Sequence, residues 1–574
     1  MGENDNKGVL VMFTKFSEIR YFRPDPKRAE EAVYKFIEGL KAAKNYGEAR
    51  ACYVEYDKSG EEFSTMYTVA SIRNTIDTRD EFYDAEMNFF YEELPKLQLV
   101  SKKANEALLS SPFKADFEKE FGTDLTHAIE AGIRLADEKI IEDQIEESKL
   151  TQEYSKITAA CTTVFRGEDC NFYGLLKHMQ STDRAERKEA FTAWAQLYKS
   201  VSDKLDGIYL RLCEIRRSMA QKLGFKNYVE MANLANGHYY YGADEVAAFR
   251  KQVVEEVVPA VCKLYDEQKS RIGVDKLRFY DEQLVFPEGN AAPIGDMRYL
   301  VDCARKMYGE LSKETGEFFD FMTEHELFDL ETKAGKHMGG YCTFIDAYKA
   351  PFIFSNFNGT SADVDVLTHE AGHAFQAYSS AKNLELSSQI WSTSEISEIH
   401  SMSMEHFAYP WMEMFFGDKA DKYRYAHLSE AIKCIPYLCL VDHFQHEVFA
   451  NNFDAKGLRA CWRRLEKIYM PWRDYDGEEF LEEGGFWMQK QHIFMYPFYY
   501  VDYALAQMGA FEYFTRAKTD RTGAWKDYYA LCCAGGSKSY FELLKLGGLS
   551  NPFEKGSVKR AIKGVLAELD KKSF

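Results

Sequence analysis

His369 and His373 stand four residues apart in TSADVDVLTHEAGHAFQAY, residues 360–378. On a helix that spacing sets both imidazoles on one face. They then offer side-by-side nitrogen ligands to a zinc ion, and Glu370 is turned to reach a water on that ion. Val366, Leu367, Ala371, Ala374 and Phe375 surround the histidines with apolar groups, which predicts a buried helix. Thr360 and Asp363 are read as the capping pair at its start. The chemistry implied is hydrolysis by an activated water.

A catalytic zinc needs a third protein ligand and an open position. Residues 392–407, STSEISEIHSMSMEHF, are read as a second helix, with Glu395, Glu398 and Glu405 on one stripe. Spacing alone does not choose among the three. His400 points off that stripe and is read as structural or as support behind a ligand. Asp365, four before His369, is a weaker candidate for supporting a ligand, against a reading as a solvated cap residue.

Further on, GGFWMQKQHIFMYPFYYVDY spans residues 484–503. Pro497 fits the first turn of a helix that carries Tyr500 and Tyr503 on one side, with Tyr496 just before it. Four tyrosines behind His492 read as core packing on their own.

The elements that must hold these groups are mainly α. Apolar residues recur at three-to-four spacing in 28–43, 79–91 and 183–199, and 13 prolines in 574 residues permit long helices. Strand signals are few: 161–172 around a Gly167 turn, and 341–357, aromatic and β-branched with Pro351 in its middle. The proline marks 350–356 as an edge strand, to which an extended peptide could pair. Gly339 and Gly340 ahead of it suit either a loop that closes over substrate or a plain turn.

Composition excludes other classes. The formal net charge of -19 repels phosphate backbones and anionic headgroups, so neither nucleic acid nor a membrane surface is an expected partner. No apolar run reaches membrane-spanning length. The N-terminus MGENDNKGVLVMFTKF is acidic at its start, its apolar run is short for a signal peptide, and Asn6 departs from the myristoylation pattern. Twelve cysteines without a Cys-x-x-Cys pair read as small buried hydrophobes. The expectation is a reduced, cytoplasmic, soluble chain.

HEAGHAFQ, the preceding PFIFSNFNGTSADVDVLT and the following EISEIHSMSME resemble the oligoendopeptidase F and thimet oligopeptidase family of zinc peptidases, nearest its bacterial Pz-peptidase type. The likeness runs from Val164 to Phe553. Earlier, KFSEIRYFRPD and IRNTIDTRDEFYDAE share its general character. The family's third ligand is the first glutamate of an E-x-x-x-x-x-x-E pair, so the resemblance implies Glu398 as ligand and Glu405 as support for a ligand. It also implies that His492, Tyr496 and Tyr503 contact substrate and the developing oxyanion. This stretch is one residue shorter than in the thimet branch, which leaves Tyr496, Tyr499, Tyr500 and Tyr503 open as the oxyanion donor.

The implied fold is a large helical body of two lobes enclosing a deep channel, with a small sheet edge near the metal. We place residues 1–190 in an N-terminal helical lobe and 191–574 in a catalytic lobe. The implied function is a zinc endopeptidase for short peptides, with one zinc on His369, His373 and Glu398 and with Glu370 as general base. An exopeptidase of similar architecture, or a metal-binding scaffold without activity, are the rivals. An intact Glu370 argues against the scaffold.

Overall fold

A computed structural model describes residues 15–333, 335–572 and 574, so the N-terminal stretch weighed as a leader lies outside the described residues up to position 14. Helices make up most of the described chain, with only two small sheets. The protein is mainly α. Two compact units are formed. One is built from described residues of Met1–Ile129, Gly295–Ser392 and Leu531–Lys538, the other from Glu130–Ile294, Thr393–Ala530 and Ser539–Phe574. That division is discontinuous in sequence, where a single boundary near residue 190 was expected. A linear reading sees composition along the chain and not which distant segments pack together.

In the first unit, helices Pro26–Ala42, Tyr46–Ser59, Glu61–Ile76 and Glu81–Leu109 follow one another. Asp25, Asn45 and Asp80 start three of them by accepting from the backbone N–H groups of Lys27, Glu48 and Phe82. The pattern at 79–91 is only the first half of Glu81–Leu109, which continues through Pro95. Phe63, Met66, Ala70, Met87 and Phe90 form the apolar core between two of these helices.

Five strands occur among the described residues: β1 Thr163–Phe165, β2 Glu168–Cys170, β3 Phe328–Glu331, β4 Tyr341–Ile345 and β5 Ala350–Phe357. The segment 341–357 folds as the β4–β5 hairpin, turned at Asp346–Tyr348 with Lys349 at φ 50°. The sheet order is β3-β5-β4. Hence β5 is the central strand, parallel to β3 and antiparallel to β4, and the edge-strand reading of 350–356 is corrected. Pro351 is tolerated because pairing with β3 begins only at Ile353, whose N–H donates to Leu327 O at 3.0 Å. With a neighbour on each side, β5 has no free edge for a peptide.

The second unit holds the longest helices, Arg184–Lys222 and Ala420–Ala450, the latter continuous through Pro436. The 183–199 pattern is the first half of Arg184–Lys222, capped by Asp183. β1 and β2 pair antiparallel around Arg166 and Gly167, both with positive φ, as the Gly167 turn predicted. All twelve cysteines are free thiols. Among the described residues no helix is long and apolar enough to cross a membrane.

Candidate active site

The histidine helix runs over Ala362–Asn383 and packs on β4 and β5. Val364, Leu367, Ala371, Ala374 and Phe375 are wholly buried, which fixes the helix and turns the histidine face outward. Its start differs from expectation. The Asp363 carboxylate reaches back to the N–H groups of Asn358 and Gly359 at 2.9 and 2.8 Å, while Thr360 bonds Asn358 Oδ1 and caps nothing.

His369 and His373 are half-buried, with ring centroids 5.0 Å apart. Glu370 is 7% exposed. A Cβ at position 340 would meet Val366 Cγ1 at 3.0 Å and Glu370 Oε1 at 3.5 Å. The hydrogen side chain of Gly340 is therefore what admits β4's entry to this carboxylate. Cys342 on β4 feels the same group: burial, and then the Glu370 charge, hold its thiol well above the usual range.

The glutamate helix, Ser394–Phe407, starts where the sequence placed it and is buried on nearly every side. Its three glutamates separate cleanly. Glu398 is 2% exposed. Glu395 faces His238 and Asp502. Glu405 pairs with His427 Nε2 at 2.9 Å. Glu395 and Glu405 each have their own histidine neighbour, and spacing carries no information about those. His400 is wholly buried, and Tyr528 donates to its carbonyl at 2.9 Å, in keeping with a structural place.

Two imidazole nitrogens on one helix face are donors that fit a borderline-soft first-row cation. Both oxygens of Glu398 are braced. Tyr499 donates to Oε1 at 2.7 Å, and Ser401 donates to Oε2 at 3.0 Å from one turn along. Burial and then the Glu398 charge push the Tyr499 phenol well up, so it stays a donor.

The tyrosine helix begins at Tyr500 and runs to Ala517. Pro497 lies in the preceding turn and not in the first turn of the helix, because Phe498 at φ 65° interrupts. His492 packs among the phenols, 4.8 Å from Tyr500, 5.7 Å from Tyr496 and 6.2 Å from Tyr503, centroid to centroid. Burial, helped by the Lys490 charge, lowers its pKa to about 3, so the ring is neutral, and its Nδ1 has no hydrogen-bond partner. Tyr496 is half exposed and Tyr503 half-buried.

Behind these groups lies a buried cluster that sequence reading did not find. Asp502, wholly buried, sits 2.9 Å from His238 Nε2 and accepts from Ser394 Oγ. Burial alone would lower the His238 pKa, but Asp502 outweighs it and holds it at about 9. Burial, and then the Asp502 charge, push Glu395 to about 7. Asp502 precedes Tyr503 and Ser394 opens the glutamate helix, so the cluster ties the two helices together. His238 is more than 150 residues from both in sequence, and no local pattern points to it.

Residues 16–136 match the peptidase M3 N-terminal domain, and residues 177–561 match peptidase family M3. An oligoendopeptidase F homolog of Borreliella burgdorferi is 23% identical over 446 residues, covering 72% of this chain and 73% of the relative. The solved structure of Pz peptidase A with an inhibitor is 45% identical, with a TM-score of 0.94 over 97% of this chain and 100% of that one. A Bacillus anthracis protein assigned as an oligoendopeptidase F is 40% identical, with a TM-score of 0.90 over 98% and 99% of the two chains.

Proposed function

Since the chain belongs to peptidase family M3, we propose that it cuts short peptides internally, with one zinc ion on His369, His373 and Glu398 and with Glu370 as general base. The observation that carries this reading is the pair of half-buried imidazoles on one helix, His369 and His373 with ring centroids 5.0 Å apart, and the buried Glu370 beside the first of them. When bound, zinc supplies polarisation of the scissile carbonyl and lowers the pKa of a water to about 7.

The chain's own residues do the rest. Glu370 takes the proton from the attacking water and returns it to the leaving amine. Its burial, with no side chain at position 340 to displace it, supports that assignment. We assign the steadying of the oxyanion to His492, whose ring is neutral with an unpartnered Nδ1, and to the phenols of Tyr503 and Tyr496. One such donor is worth about 2.7–4 kcal/mol. Tyr499 donates to Glu398, which supports a bracing role for it in place of an oxyanion one. Asp502 and Glu395 hold the supporting helices and take no proton from substrate. Free thiols throughout suit a reduced compartment, and we place the activity in the cytoplasm.

The test is digestion of a quenched fluorescent peptide library with and without a zinc chelator, read by mass spectrometry. Chelator-sensitive internal cuts in short peptides, with folded proteins spared, are expected. Cuts confined to one terminus would replace the reading with an exopeptidase.

A further inference from the structure

A second group of metal-ligating side chains lies in the hairpin and the short helix after it. Glu168 and Cys170 alternate by two along β2 and so share one face of the strand. The helix Phe172–His178, capped by Asn171, brings His178 back over that face. Cys170 Sγ, His178 Nε2 and a Glu168 oxygen all lie within 4.8 Å of one another.

The imidazole is already oriented as a ligand. Its Nδ1 is held 2.6 Å from Glu186 Oε1, and its Nε2 is turned toward Glu168, 4.0 Å from Oε2. A carboxylate on the far nitrogen is the usual companion of a metal-bound histidine. Phe165 packs on the ring at 4.8 Å, and Ser181 donates to the other oxygen of Glu186. Cys170 is buried, whereas Glu168 is mostly exposed and free to swing. Around a tetrahedral zinc, such ligand atoms stand roughly 3.4–3.7 Å apart, so only a small contraction is needed.

The charges agree. The nearest cation, Arg166, is engaged by Glu186 at 3.2 Å and Glu189 at 2.7 Å. A divalent cation bound by the Cys170 sulfur displaces the thiol proton to solvent. Thiolate, Glu168 carboxylate and the ion then sum to zero.

We propose that Cys170, His178 and Glu168 form a binding site for a divalent cation of the zinc class, oriented by Glu186 and separate from the peptidase centre. The ion fastens the β1–β2 hairpin to the helix that follows, with a water completing its coordination.

Cobalt(II) makes the test independent of activity, because His369, His373 and Glu398 include no sulfur. Chelator-stripped full-length protein is titrated with cobalt and followed in the near ultraviolet for a thiolate-to-cobalt charge-transfer band, with bound metal counted by mass spectrometry. The expected result is a band that saturates at one equivalent, and two equivalents bound in total. Cys170→Ser removes the band and one equivalent while peptide hydrolysis is retained. His178→Asn does the same, and Glu186→Gln weakens this site about 10- to 100-fold. No band in the unaltered protein, or a band that survives Cys170→Ser, overturns the proposal.

Discussion

The Tyr499 hydroxyl donates to Glu398 Oε1 at 2.7 Å while Ser401 holds Oε2 at 3.0 Å. A carboxylate ligand gripped at both oxygens has one orientation, and that orientation is what a third ligand must supply. Tyr499→Phe removes a single donor and keeps the ring that packs 5.2 Å from Tyr503. Metal affinity is expected to fall about 10- to 100-fold, with hydrolysis restored by excess zinc. Chelator-competition titration measures it. An oxyanion role for Tyr499 would instead lower kcat at saturating metal.

Glu370→Gln tests the base. The amide is nearly isosteric with the carboxylate in a position 7% exposed, so folding and metal content should be unchanged. Loss of general-base catalysis costs about 10²- to 10⁴-fold. Metal analysis and kcat/KM on one internally quenched peptide decide it, and a fully active variant would move the base elsewhere.

Asp502 sits between His238 and Ser394, where His238 and Glu395 both keep a proton more firmly than an unfolded chain would. Raised folded-state pKa values mean stability that is fully present below the unfolded values and is lost as pH rises. For Glu395 the loss runs from about 4.5 up to about 7, and for His238 from about 6.5 to about 9. Thermal unfolding is therefore expected at lower temperature at pH 9 than at pH 6. Asp502→Asn leaves a buried imidazole without its counter-charge, which costs about 3–5 kcal/mol near neutral pH, and it flattens the slope between 6.5 and 9. Glu395→Gln keeps a neutral side chain and should raise the melting temperature above pH 7. Melting curves against pH measure all three proteins.

What was legible in the sequence was whatever a single helix carries. His369, Glu370 and His373 are related by helical spacing alone, and the structure keeps that relation. Glu398 was singled out by family resemblance, because its stripe holds two other glutamates, which the structure sets beside His238 and His427 and spacing could not tell apart. The central place of β5 was hidden because β3 joins it from earlier in the chain, after the point where Pro351 would have been in the way. Pro497 misled for a related reason: the helix start is set by the positive φ of Phe498, which its residue type does not announce.

Gly340 gives the sharpest geometric test of the base's surroundings. Its Cα lies over the histidine helix such that an added Cβ would stand 3.0 Å from Val366 Cγ1 and 3.5 Å from Glu370 Oε1. The first distance forces something to move, and the nearest movable group is one turn before the catalytic carboxylate. Gly340→Ala is expected to lower kcat/KM between about 10- and 100-fold, the scale of a misplacement under 1 Å, with metal content unchanged. Val366→Ala alone removes the clashing methyl and should have little effect on the rate. Combined, the two substitutions restore room for the Cβ, so the double variant should recover most of the activity that Gly340→Ala loses. A steady-state comparison of the four proteins on one peptide reads the coupling directly. Additive losses would mean that the added methyl acts through the Phe354 carbonyl, 3.4 Å from it, and not through Val366.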